Sequence, residues 1–166
     1  TVSFTQLYGG KITAALSRQH PRDLFDCKYM DISSFEDVKD GFMLCLLGSD
    51  KPIIESLQPN EIDQTDALEK QFEGMSDIAF SYEDYKQARL QLVKLVQEGM
   101  TKADKDFLLS FEEGCPDWSL CSAGDLSKYP SVQWKLLNIR NLKEHNIQKH
   151  EQGIKKLKDF LFSTVF

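Results

Sequence analysis

The sequence predicts an all-α fold, a single helical domain of about six to eight helices over residues 1–166, on three observations. Apolar residues recur at three- and four-residue spacing along most of the chain, and capping signals punctuate that pattern. The Val/Ile/Thr alternation that marks strands is confined to the opening Val2-Ser3-Phe4-Thr5, which leaves room there for a short residual strand. At 166 residues, 41% hydrophobic and 28% charged, the chain is long enough to bury one ordinary core.

Phe4, Tyr8, Ile12 and Ala15 fall at helical spacing and predict a first helix that breaks at His20-Pro21. Pro21 suits a first helical turn, and Phe25, Tyr29 and Ile32 form one stripe, so a second helix is expected from about residue 21 to 32. Ser33 or Ser34, with Glu36 or Asp37 downstream, caps a third helix. Its Phe42-Met43-Leu44-Cys45-Leu46-Leu47 is apolar enough to be central, and Gly48 ends it. Residues 52–57 read as a short helix, and the acidic, thinly apolar stretch 60–73 as a solvated helix or loop. Ser81-Tyr82-Glu83-Asp84 and Thr101 with Asp104 are two capping-box starts. The first leads through Tyr85, Ala88, Leu92, Leu95 and Val96 to Gly99; the second leads into Phe107, Leu108 and Phe111. Turn-forming residues from Gly114 to Lys128 predict the longest irregular segment. Pro130 opens a helix with Val132, Leu136 and Ile139 on one face, and Ile147, His150, Ile154, Leu157 and Leu161 carry the pattern on at near-heptad spacing.

Twenty cations against 26 carboxylates leave a net charge of −6, which argues against a uniformly basic nucleic-acid binder. No apolar run approaches the roughly 18 residues that a membrane span requires. The charge is uneven, since residues 128–166 carry eight cations and three carboxylates. Lys149, Lys155, Lys156 and Lys158 read as a solvated helix face, with docking of RNA or another acidic partner as the alternative. Cys27, Cys45, Cys115 and Cys121 lack zinc-site spacing, and His20, His145 and His150 do not complete a ligand pattern with them, so no metal site is expected. No signal-peptide pattern opens the sequence, which predicts reduced thiols in a cytoplasmic protein. Trp118 and Trp134 are expected as core or inter-helix anchors, and His150, on the apolar stripe, as a satisfied interface residue.

The densest polar stretch runs from Gly9 to Asp26. Lys11 and Arg18 are seven apart, two helical turns, and project from one face; Asp23 and Asp26, three apart, do the same on the next helix. Because Pro21 cannot continue the first helix, the chain should fold back there, bringing the cations toward the carboxylates and packing Phe4, Tyr8 and Ile12 against Phe25, Tyr29 and Ile32. Gly9 and Gly10 each cost about 1 kcal/mol relative to alanine in a helix, so they imply close approach of another backbone or of a ligand phosphate. Gly-Gly-Lys is not a P-loop, because Ile12 stands where that motif needs Ser or Thr. On spacing alone, Lys11, Arg18 and Arg22 could simply pair with Asp23 and Asp26 as salt bridges.

The runs Leu7-Tyr8-Gly9-Gly10-Lys11-Ile12, Ala14-Ala15-Leu16 and Arg18-Gln19-His20-Pro21-Arg22-Asp23-Leu24-Phe25-Asp26 resemble the Lys-helix and Arg-Asp-x-x-Asp motif of the AbiEii/AbiGii-type nucleotidyltransferase toxins. Phe72-Glu73-Gly74-Met75, Phe107-Leu108-Leu109-Ser110-Phe111, Pro116-Asp117-Trp118-Ser119-Leu120 and Val132-Gln133-Trp134-Lys135-Leu136-Leu137-Asn138-Ile139 are similar to the carboxyl-terminal half of one branch of that family. The resemblance covers nearly the whole chain.

It implies a two-part enzyme, a polymerase-β-like nucleotidyltransferase lobe followed by a helical lobe, of which this chain resembles the second. By that resemblance Lys11, with Arg18 and Arg22, contacts the phosphates of an NTP, and Asp23 or Asp26 completes the site as a polar organiser or base. The family's Gly-Ser or Gly-Gly-Thr loop and its Asp-x-Asp pair, which hold nucleotide and Mg²⁺, have no counterpart here, so this chain alone is expected to be inactive. The resemblance implies an upstream catalytic lobe as partner, and a cognate antitoxin and an RNA acceptor at the 128–166 segment as further ones. The competing expectation is a non-enzymatic helical module whose charges merely pair and whose 128–166 helices dock an antitoxin or other protein.

Overall fold

The computed structural model describes residues 3–30, 34–60, 62–72 and 80–163, without the side chains of 71 and 72. Ile32, Ser33 and the Glu73-Gly74-Met75 part of one family motif lie outside them. The described residues are all-α, with nine α-helices and no strand. Ser3 does not open a strand: its hydroxyl accepts the Gln6 N–H and the Gln6 side chain accepts its own N–H, a capping box that starts α1 (Phe4–Arg18). The chain turns at Gln19-His20 into α2 (Pro21–Lys28), with Pro21 in the first turn as expected. Helix α2 ends four residues short of Ile32. The Ser34–Asp37 box closes only a 3₁₀ turn, Phe35–Asp37, before α3 (Lys39–Gly48) begins. Next come α4 (Ile53–Leu57) and the single turn α5 (Thr65–Ala67), which runs into a π turn over Leu68–Phe72.

The capping boxes at Ser81 and Thr101 start α6 (Tyr82–Gly99) and α7 (Lys102–Glu112) where the sequence puts them. The irregular segment follows, with one 3₁₀ turn at Trp118–Leu120. The apolar spacing continues past residue 145, but Asn146 breaks the chain into α8 (Pro130–His145) and α9 (Ile147–Phe162), its side chain capping the second. That break and the turn at α5 raise the count above the expected six to eight. No described helix is long and apolar enough to cross a membrane.

Helix α3 is central: Phe42, Met43, Leu46 and Leu47 are fully buried, and it packs most extensively on α1 and then on α8. Helix α6 closes over α1 and α2, while α7, α8 and α9 pack together on the other side. Trp118 anchors this second group against Phe107 and Phe111, at ring separations of 5.2 and 6.2 Å. Trp134 does not anchor anything of the kind; it points outward and is 63% exposed, because α8 turns Val132, Lys135 and Ile139 inward instead. His150 is buried, its Nε2 2.7 Å from the Glu112 carbonyl, as its place on the stripe implies.

The expected packing of Phe4, Tyr8 and Ile12 on Phe25 and Tyr29 is replaced by a different one. Ile12 is buried in the core, Phe4 and Tyr29 are about half exposed, and Phe25 packs edge-on to Phe80 at 5.4 Å. Helix α1 instead makes its closest approach to α3, where two glycines meet. A Cβ on Gly9 would stand 2.2 Å from the Phe42 nitrogen, and one on Gly41 2.0 Å from the Thr5 carbonyl oxygen. Gly9 is therefore explained by a helix, and a Cβ on Gly10 would only touch Cys45 Sγ at 3.7 Å. Gly9→Ala is expected to destabilise the fold by about 1–3 kcal/mol net, since backbone must move to admit the methyl. Gly10→Ala should instead be neutral or gain up to about 1 kcal/mol from helix propensity. Urea unfolding of the two variants checks this.

Lys135 is a lysine the composition gives no reason to bury, yet its residue is 7% exposed, and Nζ donates to the carbonyls of Ser49, at 2.9 Å, and Lys51. Burial lowers its pKa to about 8, against the pull of Glu112 and Asp50. Unfolded, the group titrates near 10.5, so between pH 8 and 10.5 the unfolded chain binds more protons and stability from this group rises with pH. Half-buried Cys27 and Cys45 and buried Cys121, whose thiols are pushed up by the loss of solvent around them, act oppositely above pH 9. The comparison that isolates Lys135 is with Lys135→Met. Wild-type stability relative to that variant should climb by up to about 1.4 kcal/mol per pH unit from pH 8 to 10, measured by denaturant melts.

Candidate functional site

Ile12, Ala15 and Leu16 turn one face of α1 into the core, which leaves Leu7, Lys11, Ala14 and Arg18 on the opposite face. Leu24 does the same for α2, leaving Asp23 half-buried and Asp26 exposed. The elbow at Gln19-His20 brings the two faces together. Leu7, Gly10, Lys11, Ala14, Arg18, Asp23 and Asp26 line one cleft of about 250 Å³. Arg18, His20, Arg22 and Asp23 line an adjoining one of about 400 Å³. Arg18 and Asp23 wall both clefts, joined by an ion pair of 3.1 Å.

Four of the five residues singled out in the sequence therefore share one cleft, and Arg22 faces the next. The simple pairing expected of them is realised only for Arg18 and Asp23; Lys11, Arg22 and Asp26 make no ion pair with any described residue. The Lys11 ammonium lies 5.9 Å from the centre of the Tyr8 ring, exposed, with Tyr8 itself partly uncovered.

Cys27 reports the field in this cleft. Its Sγ approaches the Lys11 carbonyl at 3.6 Å. Burial first, and then the carboxylates of Asp23 and Asp26, push its thiol up to about 12, with Lys11 pulling the other way. The ammonium and both carboxylates, carried by two helices, thus all act electrostatically on one sulfur. That thiol is protonated at neutral pH and is no nucleophile.

Chemically, the arrangement offers an ammonium and two guanidinium groups that can hold an anion, beside two carboxylates, one of them unpaired. Among the described residues no three of His, Cys, Asp and Glu lie together as a metal-ligand set. Two larger clefts lie elsewhere. One, about 620 Å³ between α4, α6 and α9, is lined by Glu55, Lys156 and Asp159 from exposed faces. The other, about 720 Å³ beside Trp118 and Leu137, has Arg140 as its charged residue, and that side chain is tied to the Gly114 carbonyl at 2.9 Å.

Sequence reasoning missed Cys27 and Gln19. A cysteine beside the second carboxylate was visible as a signal; nothing local marks the glutamine, whose partners are more than 40 residues away. No family model, no curated protein and no solved structure matches this chain.

Proposed function

We propose that this chain is the helical part of an AbiEii/AbiGii-type nucleotidyltransferase, and that the cleft between α1 and α2 forms one wall of an NTP site completed by an upstream lobe. The observation that carries the reading is the exposed ammonium of Lys11, without an ion pair among the described residues, standing in one cleft with the unpaired carboxylate of Asp26 and the Arg18–Asp23 pair. An unpaired cation beside a walled guanidinium suits the phosphates of an NTP, with Arg22 in the adjoining cleft extending the cationic surface. In this reading Asp26, which is exposed, accepts a proton or orders a water, and Asp23 orients Arg18.

The fit to Mg²⁺ is different. Asp23 is committed to Arg18 and the described residues offer no acidic ligand set, so Mg²⁺ belongs to carboxylates of the other lobe in this reading. The isolated chain is then inactive. The exposed Lys149, Lys155, Lys156 and Lys158 suit an RNA acceptor on α9, in a cytoplasmic protein.

A second reading, a non-enzymatic helical module docking an antitoxin or other protein, is favoured by the exposed Trp134, Leu137 and Ile147. Isothermal titration of the chain with each Mg·NTP separates the two. Saturable binding lost in Lys11→Ala is expected, and it would reject the second reading. The coding sequence upstream is the other check, because a preceding segment without a Gly-Ser or Gly-Gly-Thr loop and an Asp-x-Asp pair would sink the enzyme reading.

A further inference from the structure

We propose that Gln19 is a positioning residue for the candidate site, fixing the α1–α2 elbow so that Arg18 and Asp23 meet, and that it acts through Arg89 of α6. This rests on the reading of the α1–α2 cleft given above.

Gln19 is the one non-glycine residue at positive φ among the described residues, at φ 53° and ψ 26°. A left-handed conformation at a residue with a Cβ is strained and persists only where the surroundings determine it. Here they do so from every side, and the residue is 1% exposed. Its backbone N–H donates to the Ala15 carbonyl at 2.9 Å, and its own carbonyl accepts the Tyr85 hydroxyl at 2.8 Å. Its side chain donates from Nε2 to the Asn60 carbonyl at 2.5 Å and accepts the Arg89 Nε–H on Oε1 at 2.8 Å. Arg89 in turn donates from Nη2 to the Pro59 carbonyl at 2.5 Å.

The flanking carbonyls at the end of α1 are held in the same way. Lys51 Nζ donates to the Ser17 carbonyl at 2.8 Å, and Gln64 Nε2 to the Arg18 carbonyl at 3.4 Å. Helix ends ordinarily leave such carbonyls to water or to a glycine cap. This end instead draws on side chains from three distant segments, which hold the carbonyls of Ser17, Arg18 and Gln19 just before the helix that carries Asp23. A plain turn would use glycine at that position. A glutamine held by two side-chain hydrogen bonds supplies what glycine lacks, a fixed direction for α2 relative to α1. The beneficiary is the 3.1 Å Arg18–Asp23 pair that walls both clefts.

The test uses the chain together with the upstream nucleotidyltransferase lobe that the reading above proposes, and measures transfer from each of the four Mg·NTPs alongside melting temperature. Gln19→Asn keeps a residue tolerant of positive φ but is too short to reach both Asn60 and Arg89. It is expected to lower kcat/KM by about ten- to a hundredfold while leaving the melting temperature within a few degrees. Gln19→Gly, relaxed at this φ, should do the same and guards against a folding failure. Arg89→Gln should give a similar loss, and the double variant should be no worse than the worse single one, because both act through one bond. The proposal is overturned by activity that falls only in step with melting temperature, by losses that multiply in the double variant, or by a Gln19→Asn protein within twofold of wild type. If in that last case Lys11→Ala still abolishes transfer, the site reading stands and the positioning role alone falls. Wild-type protein that transfers no nucleotide overturns both.

Discussion

Asp104→Ala is expected to cost the fold about 3–5 kcal/mol, the loss that follows when a buried ion pair is broken from one side. Asp104 is 1% exposed and Lys39 4%, with Nζ and Oδ2 3.0 Å apart. Burial alone would lower the Lys39 pKa, but its bonds to Asp104 and Glu36 outweigh that and hold the ammonium above the ordinary lysine value. The same Asp104 oxygen also accepts the Thr101 N–H at 2.8 Å, closing the box that starts α7. Removing the carboxylate leaves a buried ammonium whose one remaining ion partner among the described residues is the exposed Glu36, and opens a helix cap. The melting temperature should drop by on the order of 10 °C. The double variant Lys39→Met with Asp104→Leu should recover much of that, since apolar replacement of both partners removes the stranded charge. A double variant no more stable than Asp104→Ala would show that the carboxylate matters through the α7 cap rather than through the pair.

What could be read from the sequence was local chemistry. Ser81 with Asp84, Thr101 with Asp104, and the prolines at 21 and 130 each fix a helix start by hydrogen bonds or φ restrictions within four residues, and each start is where the sequence puts it. Non-local packing could not be read. Gly9 and Gly10 look alike in sequence, and only the crossing of α3 makes the first obligatory. Nothing local marks Lys39 or Lys135 for burial, which depends on the Asp104 carboxylate of α7 in one case and on the Ser49 and Lys51 carbonyls of the turn after α3 in the other. Trp134, outside any basic aromatic run, reads as an anchor, but the phase of α8 turns it to solvent.

The candidate site divides the same way. The juxtaposition of Lys11, Arg18, Asp23 and Asp26 follows from one proline elbow and two helical spacings, so it was legible. The pinning of the elbow by Gln19 depends on α6 and on the carbonyls of Pro59 and Asn60, so it was not.

If the proposed nucleotidyltransferase reading holds, Lys11→Ala is expected to reduce nucleotidyl transfer by roughly two to three orders of magnitude, the cost of removing one preorganised charge from a developing anion. The ammonium is exposed and makes no ion pair with a described residue, so its loss should leave the fold intact, unlike the loss of Asp104. The reading assigns it to phosphate, so charge rather than bulk is what matters, and Lys11→Arg should retain more activity than Lys11→Met. The decisive measurement is transfer of label from α-labelled NTP by the chain together with the upstream lobe that the proposed reading requires, wild type against Lys11→Ala, with melting temperatures taken in parallel. The account predicts labelled acceptor from the wild type and a hundredfold or greater loss in the variant at unchanged melting temperature. No transfer from any of the four NTPs, or equal transfer by both proteins, would contradict it.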